Sequence, residues 1–503
     1  MGNRTGKKDT IKNSIIYGLG NVATKIIGLI LIPLYTNPSY LSVEDFGVLG
    51  VLEISGQVLV AILSFSMPQC LTRWYYDSNY LNKQKSLFFT SLSFLTAVSV
   101  LFYLGTYPFY EKFSLLVFDT VGYKYVIQLV VISSILQVIV QQVLTLAKLQ
   151  YKSKLYSGTS IIKLIVGLFL TIYLIIVKGK RIDGIFEAQV YANFLHLILL
   201  LPILVKNLML RFEKVVLKEM LAFAYPLILS STFGVFLNVI DRYSLNFLTT
   251  LEDVGVYSLA YKISSTLKIT IVMSIQYALS PVIYKKMNDP DAKTFYAGLL
   301  SKFSFILMFF SIILSLFSLE MIKILTGDII YWDANYIIPT LILGVFFGMT
   351  KDTTQIGLNI MKQTQIIGIV IITISLLNLG LNVLLIPLID YHGAALSTLF
   401  SQFLYFYIIY YKSQKVYNIP YKLNKHWLLI VLGSLIMYSG LLLNSVTGWI
   451  RIPIKLVAIT SFPIALYYLK YFTSEEVELV TSLWQRWKNP KSWLSNIKAL
   501  KAE

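Results

Sequence analysis

The chain has 503 residues, of which 56% are hydrophobic and only 14% are charged. Soluble domains carry about 25% charged residues, so the composition excludes an ordinary soluble globular protein. The single cysteine, Cys70, excludes an intramolecular disulfide and a cysteine-based metal cluster. The formal net charge of +18 could suit a nucleic-acid-binding protein, but the position of the charges in loops favours a membrane protein.

Apolar stretches of about 20 residues recur along the whole length, which is typical of transmembrane helices. Runs such as 164–177 and 366–377 do not alternate between apolar and polar residues, so a membrane β-barrel is excluded. Lipid offers no hydrogen bonds to the backbone, and these runs must therefore be helices. We predict an all-α polytopic membrane protein with fourteen spans. The predicted spans are 13–35, 46–67, 86–108, 121–147, 157–177, 184–204, 221–247, 254–283, 298–325, 334–361, 364–387, 393–411, 427–446 and 451–471.

Lysine and arginine concentrate in alternate loops between these spans. The basic segments are 4–12, 73–85, 148–154, 206–218, 285–293, 362 and 412–425. The opposite loops carry carboxylates such as Glu44 and Asp45, with one exception in the basic loop 178–181. By the positive-inside rule, both termini are predicted to be cytoplasmic and the number of spans to be even.

A short motif occurs twice. Residues 42–55 are SVEDFGVLGVLEIS and residues 250–263 are TLEDVGVYSLAYKI. The identical pairs include Glu44 and Glu252, Asp45 and Asp253, and Gly47 and Gly255. Each copy follows the first span of a six-span block, and an even number of spans separates the copies. The repeat therefore predicts two six-helix halves related by an axis along the membrane normal.

The repeat also suggests how the chain is divided. We predict an N-lobe at 1–210, a C-lobe at 211–412, two additional helices at 413–471 and a cytoplasmic amphipathic tail at 472–503. In the tail, Thr473 and Glu476 have the spacing of a capping box, which predicts a helix on the cytoplasmic leaflet. A weakly ordered basic tail is the alternative.

The residues around both motif copies resemble those of a known family. The stretches KIIGL at 25–29 and LSVEDFGV at 41–48 resemble the opening of polysaccharide-repeat-unit flippases. DRY at 241–243 and VGVYSLAYKI at 254–263 resemble the start of their second half. These proteins belong to the multidrug/oligosaccharidyl-lipid/polysaccharide exporter superfamily. The resemblance in span number and order covers essentially the whole chain. It implies two lobes around a central V-shaped cavity that opens alternately to each side.

Charged side chains inside the predicted spans need an explanation, because a charge at the bilayer centre costs about 2.5–3.5 kcal/mol. The deep basic residues are Lys25, Lys163, Arg242, Lys262, Lys268 and Lys351, and the deep acidic residues are Glu53, Asp241 and Asp352. Many lie in polar stripes at three- and four-residue steps, which is typical of helices that face a watery interior. The excess of positive charge favours an anionic substrate.

Most of these cations, with nearby amides, form the predicted substrate site. Its members are Lys25, Arg242, Lys262, Lys268, Lys351, Asn21, Asn238, Gln276 and Gln355. We predict that Glu53, Asp241 and Asp352 take part in coupling or charge pairing. Structural alternatives remain: Lys163 could snorkel to the inner interface, Asp241 could only neutralise a neighbouring cation, and Glu53 could pair internally.

The sequence contains no Walker A pattern and no nucleophile–base motif, so we expect no ATP hydrolysis and no enzyme activity. The histidines at 196, 392 and 426 are too scattered to indicate a metal site, and we expect no cofactor. His196 is interpreted as a packed polar residue rather than a proton carrier. Energy would come from an ion gradient, the membrane potential or removal of the substrate.

The resemblance and the charge excess lead to one main hypothesis. The chain would be a flippase that moves polyprenyl-diphosphate-linked oligosaccharide repeat units from the cytoplasmic to the outer leaflet of a bacterial inner membrane. Its products would serve surface polysaccharides such as the O-antigen of lipopolysaccharide. Expected partners are this lipid, membrane lipids, a polysaccharide polymerase and glycosyltransferases, but not nucleic acid, and we expect a monomer.

Three alternatives stay open. An ion-coupled drug or cation antiporter of the same superfamily would prefer an acidic cavity. A flippase for the lipid-linked peptidoglycan precursor would have the same charge requirements as the main hypothesis. A membrane glycosyltransferase or polymerase would need a large outer loop, and the predicted outer loops are short.

Overall fold

The computed structural model describes residues 28–268, 282–283 and 285–488. Within these residues, all regular secondary structure is helical. The main helices are α1 (Ile32–Tyr35), α2 (Val43–Leu63), α3 (Met67–Trp74), α4 (Gln84–Thr106), α5 (Tyr110–Phe118), α6 (Lys124–Leu149), α7 (Ser153–Ile172), α8 (Ile182–Asn207), α9 (Lys214–Leu248), α10 (Leu251–Leu267), α11 (Ala292–Leu316), α12 (Ser318–Leu325), α13 (Ala334–Thr354), α14 (Ile356–Ile360), α15 (Thr364–Val416), α16 (Leu423–Leu442), α17 (Gly448–Tyr468) and α18 (Ser474–Trp487).

Eleven helical segments of the described chain are long and apolar enough to cross a membrane. They account for twelve of the predicted spans, because Thr364–Val416 contains two of them. The other two predicted spans, 13–35 and 254–283, extend into residues outside the described ranges. The prediction of an all-α polytopic membrane protein is confirmed, whereas the number fourteen stays a prediction.

The long helix α15 is sharply kinked where two predicted spans meet. Ile389 and Asp390 have non-helical backbone angles, and the φ of Asp390 is +49°. Pro387 lies just before the kink and removes one backbone donor. A Cβ atom on Gly393 would lie 2.5 Å from the carbonyl oxygen of Leu385, so only glycine fits the inside of this bend.

A few pairs of helices pack along most of their length, and these pairs determine where the helices that line the interior lie. Helix α2 lies along α10, α6 lies along α8, and both α9 and α13 lie along α15. Lipid does not drive helices together as water does, so close packing and interhelical hydrogen bonds carry the association. The tail helix α18 begins with the predicted capping box, since Thr473 Oγ1 accepts a hydrogen bond from the backbone N–H of Glu476 at 3.3 Å.

Two of the three cations in the basic loop 178–181, which interrupts the alternation of charge, form ion pairs. Lys180 Nζ lies 2.5 Å from Glu187 Oε2, and Arg181 forms an ion pair with Asp45 at the start of α2. These two cations therefore neutralise carboxylates at the ends of α8 and α2.

Candidate functional site

Both copies of the sequence motif begin a helix in the same way. Ser42 Oγ accepts a hydrogen bond from the backbone N–H of Asp45 at 3.1 Å, and the Asp45 carboxylate accepts one from the N–H of Ser42 at 2.9 Å. Thr250 and Asp253 form the same capping box at the start of α10. The caps satisfy free N–H groups of the first turn and start both helices three residues before the predicted boundaries, which were therefore wrong.

Glycines allow these two capped ends to touch. A Cβ atom on Gly47 would collide with the carbonyl oxygen of Leu251, and one on Gly255 would lie 2.8 Å from the carbonyl oxygen of Val43. Equivalent positions of the motif copies thus contact each other, backbone against backbone. Such an approach excludes every residue with a side chain, which gives a physical reason for glycine in both copies.

An ion pair joins the same two helices further along. Lys262 Nζ of α10 lies 3.0 Å from Glu53 Oε2 of α2. The ammonium also lies 5.1 Å from the centre of the Phe46 ring and 5.8 Å from that of Tyr35. The Lys262 ammonium therefore contacts a carboxylate and two aromatic rings, and its ion pair with Glu53 joins α10 to α2.

Asp241 is held by hydrogen bonds from neighbouring helices. Its carboxylate accepts hydrogen bonds from Tyr257 Oη at 2.6 Å, Thr398 Oγ1 at 2.5 Å and Asn382 Nδ2 at 2.9 Å. The adjacent Arg242 is buried, and its guanidinium carbon lies 4.5 Å from the centre of the Tyr261 ring. Three donors on α10 and α15 thus stabilise the Asp241 carboxylate.

A cavity of about 320 Å³ lies between helices α9, α10, α13 and α15. Its lining combines lysine, carboxylate, amide, hydroxyl and apolar groups. The polar lining residues are Asn238, Tyr261, Ser264, Ser265, Lys268, Lys351, Asp352, Thr398, Gln402 and Tyr405. We call this space the C-cavity. It brings together three members of the predicted substrate site: Asn238, Lys268 and Lys351.

The charges of the C-cavity are unevenly matched. Lys351 Nζ lies 2.8 Å from Asp352 Oδ1 and 4.4 Å from the centre of the Tyr405 ring. Lys268 contributes a second ammonium to the lining, at a well-exposed position. Among the described residues that line the C-cavity, two cations therefore face one carboxylate, and the net formal charge is positive.

A second cavity, of about 450 Å³, is enclosed mainly by α2, α3, α6 and α8. Five of its lining residues are glutamines: Gln57, Gln69, Gln137, Gln141 and Gln189. We call this space the N-cavity. Glu53, which pairs with Lys262, is the one ionisable residue among its described lining residues.

The N-cavity continues into a third space of about 740 Å³ that shares Gln69, Gln137 and Gln141. This space reaches Lys163 and His196. His196 is buried, and its Nε2 atom lies 3.2 Å from Thr159 Oγ1, as in the packed polar residue that we predicted. Lys163 is half-buried and lines this space.

Three other residues of the predicted substrate site, Arg242, Lys262 and Gln355, are not among the described residues that line the C-cavity. Lys262 lies beside the N-cavity through its partner Glu53, and Arg242 lies behind Tyr261. Gln355 follows α13, and its Oε1 atom is buried without a hydrogen-bond partner among the described residues. The predictions for Lys25, Asn21 and Gln276 fall outside the described residues.

One charged cluster was missed by the sequence analysis. Glu320 of α12 lies 2.8 Å from both Arg451 Nε and Lys455 Nζ of α17. Lys455 is fully buried, so this cluster attaches α17 to the rest of the bundle. The four-residue spacing of the two cations on one helix was the available signal.

Residues 10–287 of the chain match the model of a family described as polysaccharide biosynthesis protein. The match covers more than half of the 503 residues. No curated protein sequence matches the chain.

Several solved structures share the fold. The lipid II flippase MurJ in an inward closed conformation aligns with a TM-score of 0.72 and 14% identity, covering 90% of this chain and 99% of MurJ. A MOP superfamily transporter from Pyrococcus furiosus aligns with a TM-score of 0.55 and 14% identity, covering 81% of this chain and 95% of its own. An outward-facing multidrug resistance MATE family transporter of the MOP superfamily aligns with a TM-score of 0.59 and 13% identity, covering 80% of this chain and 95% of the transporter. At these identities the similarity establishes the fold.

Proposed function

Since this chain belongs to the polysaccharide biosynthesis protein family, we propose that it is a flippase for polyprenyl-diphosphate-linked oligosaccharide repeat units. The lipid would move from the cytoplasmic to the outer leaflet of a bacterial inner membrane, with both protein termini in the cytoplasm. The family match, which agrees with the resemblance found in the sequence, and the fold shared with MurJ and MATE transporters support the class of protein.

The net positive C-cavity carries the proposal for the substrate. Lys268 and Lys351 line a space inside the membrane-spanning bundle, where the low dielectric constant of the surrounding protein makes charge–charge attraction stronger than in bulk solvent. A diphosphate could exchange its hydration for these ammonium groups and the neighbouring hydroxyl and amide donors. A cationic drug would meet net repulsion there, which disfavours the antiporter alternative.

The α2–α10 contact supports alternating access. In our topology the capped ends of both helices face the outside, so their glycine contact would close the outer side in the conformation described here. Export would then require α2 and α10 to separate at Gly47 and Gly255. The Glu53–Lys262 ion pair would break in the same movement.

Depletion of the protein tests the substrate class. We expect a polyprenyl-diphosphate-linked oligosaccharide to accumulate in the cytoplasmic leaflet, measured by mass spectrometry of extracted lipids and by protection from a saccharide-modifying enzyme added outside. Accumulation of lipid-linked peptidoglycan precursor instead would favour the alternative flippase. Increased drug sensitivity without any lipid-linked saccharide would favour the antiporter.

Substitutions of the two lysines of the C-cavity test whether this cavity binds the substrate. Lys268→Gln and Lys351→Gln should each lower export at least about tenfold at normal membrane levels, because each removes a cation that would contact the diphosphate. Lys→Arg changes should be milder, although Arg and Lys differ in geometry. The matched control is Lys218→Gln, an exposed lysine on α9 that should export normally. Wild-type export by both cavity variants would contradict the site.

A further inference from the structure

We infer that the N-cavity is a saccharide-binding subsite, in which glutamine amides bind the hydroxyl groups of the transported sugar. This inference rests on the proposed function and adds the part of the site that would recognise the sugar. The C-cavity has the charge for a diphosphate, whereas the described wall of the N-cavity carries five glutamines, the Glu53 carboxylate and no cation. The nearest lysines, Lys148 and Lys163, line the third space that continues the N-cavity.

The hydrogen-bonding state of the glutamines is the first argument. Gln137 and Gln141 are exposed to the cavity, and neither side chain has a hydrogen-bond partner among the described residues. On the same helix, Gln128 donates to Tyr103 Oη at 3.0 Å, and the buried Gln142 donates to Ser91 Oγ at 2.8 Å. Helix α6 thus carries two kinds of glutamine: one kind bonds to neighbouring helices, and the other presents its amide to open space.

The cost of polar groups in a membrane is the second argument. An amide inside a membrane-spanning segment is expensive unless it meets a partner or water. Gln57 on α2, Gln69 on α3 and Gln189 on α8 converge with the two α6 glutamines on one space. This convergence from four helices provides a set of hydrogen-bond partners for a polar ligand.

The chemistry of the amide selects the class of ligand. Each glutamine offers two N–H donors and a carbonyl acceptor on one planar group. Adjacent sugar hydroxyls both donate and accept, so they match amides better than a phosphate does, since phosphate only accepts. The cavity volume of about 450 Å³ lies within the range of about 300–1,000 Å³ for small-molecule sites.

The positions of the two cavities fit one lipid-linked molecule. Ser231 and Val235 of α9 line the N-cavity, while Gly234 and Asn238 of the same helix line the C-cavity. The two spaces are therefore neighbours across one helix. In the proposed substrate the diphosphate is bonded directly to the first sugar, so adjacent anion and saccharide subsites are required.

Binding measurements on the purified full-length protein test this inference. One probe is undecaprenyl diphosphate, and the other is the lipid-linked saccharide extracted from source cells that lack the protein. We expect the wild type to prefer the saccharide-carrying lipid. Gln137→Leu/Gln141→Leu should reduce that preference about tenfold, as expected for the loss of two ligand hydrogen bonds, while binding of undecaprenyl diphosphate stays within about twofold.

The control is Gln128→Leu, which removes a glutamine that bonds to another helix of the protein, and it should keep the wild-type preference. An unchanged preference in the double variant, or an equal loss in the control, would overturn the saccharide subsite. Equal binding of both probes by the wild type would overturn it as well. If the wild type binds neither probe, the proposed function itself fails, and that result is distinguishable from the others.

Discussion

The two predicted halves of this molecule are most alike where they touch and least alike where they enclose space. At the capped ends of α2 and α10, the same capping box and the same glycine recur, and equivalent positions meet. In the interior, the described wall of the N-cavity has five glutamine amides and one carboxylate, whereas that of the C-cavity has two lysines and one carboxylate. The motif thus preserves a contact, whereas the cavity walls have diverged in chemistry.

This difference has a physical reason. Where two backbones touch, only glycine fits on either side, so the contact restricts which amino acids these positions can have. A cavity wall imposes no such steric requirement, so its side chains can match the chemistry of the ligand. A substrate with an anionic part and a polyhydroxylated part needs two unlike walls, which a symmetric pair of halves would not provide.

The largest effect is expected where the halves are alike. In Gly47→Leu, the new side chain would collide with the backbone of Leu251, and backbone cannot move aside as a side chain can. Overpacking usually costs about 1–3 kcal/mol, and we expect at least that loss of stability together with loss of export. Thermal unfolding of purified protein and the export assay measure both.

The control for this contact is Gly105→Leu on α4. A Cβ atom at Gly105 meets nothing within 4 Å, so the variant should fold and export like the wild type. Normal export by Gly47→Leu would show that the close approach of α2 and α10 is not needed during transport.

The next largest effect concerns Asp241, which lies at the border between contact and cavity. Asp241→Asn replaces a carboxylate that accepts three hydrogen bonds with an amide that can accept fewer. Hydrogen bonds to charged groups contribute about 1.5–3 kcal/mol, so we expect the free energy of unfolding to fall by an amount of that order. The amount of folded protein in the membrane should fall as a result. Export per folded molecule and the amount of bound lipid should stay normal, measured by quantitative immunoblotting and lipid mass spectrometry.

The control is Asp390→Asn, at an exposed kink position with positive φ that asparagine tolerates well. It should leave abundance unchanged. Normal abundance of Asp241→Asn with slower export and more bound lipid would instead assign Asp241 to substrate release, which is a form of the coupling role predicted from the sequence.

The sequence predicted much of the fold because membrane helices follow local rules. Hydropathy identified the spans, and spacing identified the capping box of Thr473 and Glu476. The capping boxes that start α2 and α10 three residues before the predicted spans were not predicted. The kink at Asp390 was predicted only as a gap between two spans. Local rules cannot predict which residues contact each other across helices. Glu53 and Lys262, for example, form an ion pair although they are 209 positions apart in the sequence.

The candidate site shows the same limit. Depth along a helix was enough to select Lys268 and Lys351, which do line one cavity. Depth was not enough to show that Arg242 lies behind a tyrosine ring. The glutamines were visible as polar stripes, but hydrogen-bonded and open glutamines on α6 could be told apart only in three dimensions.

The smallest expected effect tests whether Lys262 belongs to the contact or to the substrate site. The sequence analysis placed it among substrate-binding cations, whereas its ammonium lies 3.0 Å from Glu53. If the ion pair mainly joins α2 and α10, then Glu53→Gln and Lys262→Gln should each lower export severalfold, because each leaves one charge inside the membrane without its partner. The double variant leaves neither charge, so its export should return to within about twofold of the wild type. The matched control is the exposed ion pair Lys124–Glu111, for which the same cycle should give a coupling near zero. If the double variant exports as poorly as Lys262→Gln alone, Lys262 contacts the substrate and the pair with Glu53 forms only between transport steps. In that case the cationic part of the site would extend from the C-cavity to the N-cavity wall, and the division between the two cavities would be less sharp than the structure indicates.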